Sequence, residues 1–290
     1  MKFGKVEDAS SIDFTLPSDD PRTKLVLKKN KKGLQDVVIG CPRWSKSDLK
    51  NFYPKGTKDE LSYYATQFNG IELNATFFSM PSAEQILTWK NKTPSNFKFF
   101  PKLTSSISHY RRLINVTDHV TQFAMSVLHF DKQLGMVFLQ MHDNYKPKDY
   151  DRLEKFVKEW PQELPLAIEL RNEEWFNDDE VFEKVMQLFE KHSITTIFVD
   201  TPGRRDLLRM RLTTPTVFIR FVSTGEDLDK KRIDDWMDRL TTWKEQGLEN
   251  LYFFVHQNLE NATTFLSAHL IEKVNSKWGT TLNVPHLIQK

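Results

Sequence analysis

With one cysteine, Cys41, in 290 residues, the chain has no internal disulfide framework, which suits a reducing compartment. Glycine is scarce, ten in all, and none falls in a Gly-x-Gly-x-x-Gly or Gly-Lys-Ser/Thr loop, so a nucleotide-binding doubly wound fold has little support. Net charge is only +2 and the isoelectric point about 8.4, so there is no global basic field of the kind that nucleic acid demands. Residues 1–14 lack an apolar secretion core, and no run approaches the roughly 18 apolar residues of a membrane span. These absences lead us to expect a soluble, cytoplasmic protein with no membrane partner.

What is abundant is apolar bulk: 39% of residues are hydrophobic, including 22 Phe and 7 Trp, enough for a large core. The stretch Gly70-Ile-Glu-Leu-Asn-Ala-Thr-Phe-Phe78 alternates apolar and polar residues with the period of two of a strand. Comparable strand patterns recur over 37–41, 71–77, 97–102, 135–140, 165–170, 195–200, 216–222 and 250–255. Helical patterns stand between most of them, over 58–68, 83–90, 118–130, 149–160, 178–192 and 231–246, with a last one over 262–277. Strand–helix alternation implies parallel pairing through helical crossovers, and eight units in this length predict an α/β fold, a TIM-type (β/α)8 barrel. Residues 1–35, with the basic run Lys28-Lys-Asn-Lys-Lys32, read as a solvated arm or a flap across one barrel end. The barrel is expected over 36–280 and a short tail over 281–290.

In such barrels the site lies at the C-terminal strand ends. Parity counted from those ends places Glu72, Asn74, Lys102, Gln140, His142, Glu169, Arg171, Asp200, Arg220 and His256 on one face. Ile71, Leu73, Val137, Leu139, Ile168, Leu170, Ile197, Val199, Val217 and Ile219 fall on the other, which suits packing against helices. Charge on a buried face is costly unless paired, so such a ring is either an ion-pair network or a site. After the third strand, a long loop carries Ser105, Ser106, Ser108, His109, Arg111 and Arg112, a cluster suited to phosphate or carboxylate. Trp44, Phe52, Tyr53, Phe77, Phe78 and Trp175 are available to wall a pocket. Cys41, beside Pro42 and without an assignable His, reads as a small buried residue.

Several of these residues resemble a known family. Gly40 to Trp44, Phe52-Tyr-Pro54, Tyr64, Phe68 and Glu72-Leu-Asn-Ala-Thr-Phe77 look like the opening signature of domain of unknown function 72, the YecE-like proteins. Trp89, Pro94, Phe97, Phe99, Lys102, His109, Gly135 to Gln140, Glu169-Leu-Arg171, Trp175-Phe176, Asp200, Arg220 and Asn261-Ala262 continue the resemblance in order. It implies a TIM-type barrel and says little about activity. The chain departs from the family pattern at Phe78, Met141-His142, Asn172-Glu-Glu174, Val222 and Val255-His256.

The resulting expectation is an enzyme of hydrolase or lyase type acting on a small polar, anionic or phosphorylated ligand. Glu72 or Glu169 would be the acid/base, its pKa raised by the semi-buried mouth, with Lys102 and His109 also in the catalytic set. Asn74, Gln140, Arg171, Asp200, Arg220, His256 and Trp44 would bind substrate, the cations as anion clamps. Glu72, Glu169, Asp200 and His256 are of the types that bind Mn, Mg or Zn, but no compact ligand motif favours a divalent metal, and no other cofactor is announced. Two alternatives stand beside this: a barrel that binds or processes nucleic acid through its local basic clusters, and a non-catalytic barrel serving a protein partner.

Overall fold

The computed structural model describes residues 4, 6–225, 227–256 and 262–287; Asn261 of the family signature, residues 1–3 and 5 of the arm and residues 288–290 of the tail lie outside the described residues. Within them, eight strands run parallel: β1 Asp36–Cys41, β2 Gly70–Leu73, β3 Lys98–Pro101, β4 Val137–Gln140, β5 Leu166–Glu169, β6 Thr195–Asp200, β7 Thr216–Val222 and β8 Asn250–His256. Ladders join β3 through β2, β1, β8, β7, β6 and β5 to β4. The ring is completed between β3 and β4 by two isolated parallel bridges, Phe99 to Leu134 and Lys102 to Phe138. This is the expected barrel.

The helices are α1 Pro21–Leu27, α2 Glu60–Gln67, α3 Ala75–Phe78, α4 Ala83–Asn91, α5 Thr117–Val127, α6 Tyr150–Glu159, α7 Asp179–Lys191, α8 Leu228–Gln246 and α9 Ala262–Trp278. Local chemistry sets several of their ends. The Asp59, Ser82 and Asp178 side chains accept from first-turn N–H groups of α2, α4 and α7. Gly247 closes α8 at φ 118°, where a Cβ would also collide with the Leu27 carbonyl. One amphipathic example is α6, which buries Leu153, Phe156 and Val157.

Two local differences from the sequence pattern matter to the site. First, β2 stops at Leu73 rather than running to residue 77. Asn74 is already in the right-handed helical region, and the Thr76 hydroxyl donates to the Leu73 and Lys102 carbonyls at 3.0 and 2.7 Å. Those bonds stabilise a turn where the alternation alone predicts an extended chain. Second, among the described residues no α-helix connects β6 to β7. The N-terminal segment occupies that gap: Gly4 accepts from Gly203 N–H at 3.0 Å, Phe14 lies over Arg232, and α1 packs Val26 and Leu27 into the core. Arg211, fully buried, ties Asp20 at the start of α1 to Glu190 on α7, each at 3.0 Å.

The barrel interior has a distinct core of Val38, Phe100, Met136, Phe138, Ala167, Ile197, Val199, Phe218, Tyr252 and Phe254. Ile197 and Val199 were expected on the helix-facing side and are instead inside. Phe100 sits edge-on to Tyr252, Phe254 and Phe218, with centroids 4.6–5.8 Å apart, an apolar plug beneath the polar mouth. The bulk of the core lies between strands and helices.

Candidate functional site

Directly above that plug, the next inward position of each of six strands or strand ends is polar: Glu72, Lys102, Gln140, Glu169, Arg220 and His256. Arg220 is the hub. Its Nε and Nη2 donate to the two oxygens of Glu72 at 3.0 and 2.9 Å, and its Nη1 donates to Gln140 Oε1 at 2.9 Å and to Glu169. Arg171 also donates to Glu169, and to Gln140 Oε1 at 2.8 Å. The remaining partners of Glu72 are His256 Nε2 at 2.8 Å and Asn74 Nδ2 at 2.8 Å. Bidentate guanidinium pairing of this kind is strong and directional because the planar fork matches a carboxylate, and both carboxylates are buried.

Burial pushes the Glu72 carboxyl up, but Arg220 and His256 more than offset that and hold it well below the usual carboxylate range. Glu169 behaves alike: burial raises it, while Arg171 and Arg220 bring it down to about 2. That direction is opposite to the one expected for an acid/base carboxylate. Both groups are ionised and engaged by cations at neutral pH.

Lys102 differs. It is 6% exposed, and among the described residues its Nζ makes one hydrogen bond, donated to Gln140 Oε1 at 3.1 Å, with no carboxylate in ion-pair range. The Phe77 ring, on α3, lies 4.2 Å from Nζ. Burial first, then the neighbouring Arg220 charge, lowers the amine to about 7. A lysine so placed is divided between ammonium and free amine near neutrality.

His109 lies on a π-helical turn, Ser106–Tyr110, followed by three residues with positive φ, Arg112, Leu113 and Asn115. Its ring meets Phe77 at 4.9 Å and His142 at 5.1 Å between centroids. The Ser108 hydroxyl donates to the Thr104 carbonyl, so its oxygen receives His109 Nδ1–H at 2.8 Å, which leaves Nε2 as the acceptor nitrogen. Burial and Lys102 push His109 down to about 4, so it is neutral at ordinary pH.

A cavity of about 850 Å³ opens above this layer, reaching Lys102, Arg220, His256 and Asn74 at its floor. Trp44, Phe77 and Phe78 wall it, and Arg43, Asp48 and Thr263 are on its lining too. Sequence parity overlooked these last three; the signal for Arg43 was its place two residues after the end of β1. The other aromatics proposed as walls, Phe52, Tyr53 and Trp175, are buried in the core. Cys41 is buried as expected, and burial pushes its thiol up to about 12.

Asp200 is a correction. In the β6–β7 ladder Val199 pairs with Arg220, which turns Asp200 outward. There it accepts from Arg232 at 2.8 Å, from Trp236 Nε1 at 2.7 Å and from Arg205, on the side where Phe14 of the arm packs. It takes no part in the mouth, and the set Glu72, Glu169, Asp200 and His256 is not brought together. Among the described residues no cluster of three His, Cys, Asp or Glu is arranged to hold a metal ion.

The family described as protein of unknown function DUF72 matches residues 38–287 of this sequence. The chain belongs to the DUF72 family. It is 25% identical over 242 residues to the UPF0759 protein YecE of Escherichia coli K12, covering 76% of this chain and 86% of YecE. Against UPF0759 protein YunF of Bacillus subtilis 168 it is 26% identical over 151 residues, covering 49% of this chain and 52% of YunF. Two crystal structures of DUF72 family proteins share the fold, each with a TM-score of 0.66. The one from Thermotoga maritima MSB8 is 22% identical and covers 84% of this chain and 100% of its own. The one from Enterococcus faecalis V583 is 18% identical and covers 83% and 98%. Among the described residues no helix is long and apolar enough to cross a membrane.

Proposed function

We propose that this DUF72 barrel is an enzyme of lyase or hydrolase type that holds a small anionic substrate in the mouth cavity, with Lys102 as its proton-transferring group. The observation that carries this reading is the contrast inside one buried layer. Glu72 and Glu169 are saturated by guanidinium and imidazole groups, while Lys102 has a single neutral acceptor and borders the cavity. The carboxylates then act as struts that fix Arg220 and Arg171, not as the acid and base. A lysine whose proton is divided near pH 7 is matched to proton transfer at that pH. Among the described residues Arg220 spends four of its five N–H groups on the layer, which leaves one for a ligand oxygen. Trp44, Phe77 and Phe78 supply apolar walls.

The test is a thermal-shift panel of carboxylated and phosphorylated metabolites on wild type and Lys102→Met. A ligand bound only by the folded state adds about 2.7 kcal/mol of stability at a hundredfold excess over Kd and so raises the melting temperature. We expect at least one anion to stabilise wild type and to bind at least several-fold more weakly to Lys102→Met. A panel with no hit, or hits indifferent to Lys102, would overturn the reading.

A further inference from the structure

Resting on that reading of the cavity, we infer that the substrate is a small anionic carbonyl compound, and that Lys102 Nζ binds it covalently as a Schiff base. Three geometric facts point there. Lys102 is the one buried lysine among the described residues, and it lines the cavity. Among the described residues its nitrogen has no carboxylate partner, although two carboxylates share its layer, because their oxygens are taken by Arg220, Arg171, His256 and Asn74. The Phe77 ring beside Nζ shields one side of the amine from water, and that desolvation favours the uncharged, nucleophilic form against the ring's own attraction for an ammonium. The lowered proton affinity of the amine agrees with this arrangement.

The step balances without a redox partner. The unprotonated Nζ adds to the carbonyl carbon, forming the C–N bond, and the C=O π pair moves to oxygen. That oxygen takes one proton from the nitrogen and one from solvent and leaves as water, while the nitrogen lone pair closes the C=N bond. The product is a protonated imine that keeps one hydrogen on nitrogen. Its carboxylate or phosphate would meet the spare N–H of Arg220 and, at the rim, Arg43, whose guanidinium is largely exposed beside Asp48 at 2.7 Å.

Reductive trapping tests it. The intact protein at pH 7 is incubated with sodium cyanoborohydride and, separately, glyoxylate, pyruvate, dihydroxyacetone phosphate and glyceraldehyde 3-phosphate, then mapped by peptide mass. The inference predicts that with at least one probe the peptide holding Lys102 gains the probe mass less one oxygen. This adduct should form at least tenfold faster than on exposed lysines and disappear in Lys102→Met. The wild-type map alone decides the point should that variant fold poorly. Lys102 left unmodified by all four probes, or modified no faster than exposed lysines, would overturn the inference. Thermal stabilisation by the same probes without an adduct would remove the covalent step and leave the proposed anion cavity standing, whereas neither signal would remove both.

Discussion

Arg220 and Lys102 sit in the same buried layer and have opposite energetic roles. Arg220 pairs with two buried carboxylates at once, so its loss leaves Glu72 without a guanidinium partner and Glu169 with Arg171 alone. Arg220→Met should therefore cost about 3–5 kcal/mol in urea unfolding, with part of the loss recovered in acid as Glu72 and Glu169 take up protons. A variant of unchanged stability would mean that the layer is far wetter than its burial indicates. Lys102 carries the opposite sign. Its folded amine is lowered to about 7, against an ordinary lysine value near 10.5 in the unfolded chain. Between those values the unfolded state binds more protons, so native stability rises with pH. The wild-type protein should gain stability from pH 7 towards 10.5 relative to Lys102→Met, and the two curves should run parallel below pH 6. Parallel curves over the whole range would place the amine's titration at its ordinary value. Glu72, Lys102, Gln140, Glu169, Arg220 and His256 were all legible as inward-facing from strand parity. Their protonation states were not, because those depend on which cation meets which oxygen across the barrel.

At the scale of elements, Asp200 marks where strand parity stops being informative. The run Ile197-Phe198-Val199 is apolar on both faces, as a parallel strand covered on both sides must be, so alternation gives no inward direction. Only the pairing of Val199 with Arg220 decides it. Asp200→Ala should cost about 1–3 kcal/mol, because Arg232 keeps Asp229 at 2.7 Å while Trp236 Nε1–H loses its buried acceptor, yet leave anion binding at the mouth unchanged at a temperature where the variant is folded. A loss of ligand affinity without a loss of stability would return Asp200 to the site. The arm is a similar case: its helix α1 is short, and the reason it orders is tertiary, the vacancy between α7 and α8 that the β6–β7 connection leaves without a helix of its own. At β1 and β2 the strands approach so closely that a Cβ on Gly40 would lie 2.1 Å from the Gly70 carbonyl oxygen. That oxygen and the Cys41 N–H are both bonded to the Tyr64 hydroxyl, at 3.0 and 2.8 Å. Gly40→Ala should destabilise by about 1–3 kcal/mol through overpacking, measured by thermal or urea unfolding. An alanine tolerated at no cost would mean the two strands can part without disturbing Glu72.

Over the whole molecule, charge is nearly balanced at +2, and what is unusual is its distribution rather than its sum. The barrel is closed below by Phe100, Phe138, Phe218 and Phe254, so the polar layer has solvent on one side only. Such a blind, half-desolvated mouth makes a lysine that lacks a counterion titrate low while its arginine neighbours stay charged. The eight-stranded plan was readable because each unit repeats the same strand and helix periods, whereas the cavity is assembled by residues distant in sequence, Trp44, Phe77, Lys102, Arg220 and His256. The measurement that tests the account most directly is a carbon-13 NMR titration of the lysine Cε signals, with Lys102 assigned by its absence in Lys102→Met. The account predicts that the Lys102 signal has a midpoint near 7. A Lys102 midpoint at or above 10 would contradict it, returning the mouth to an ion-pair network with no free amine near neutrality.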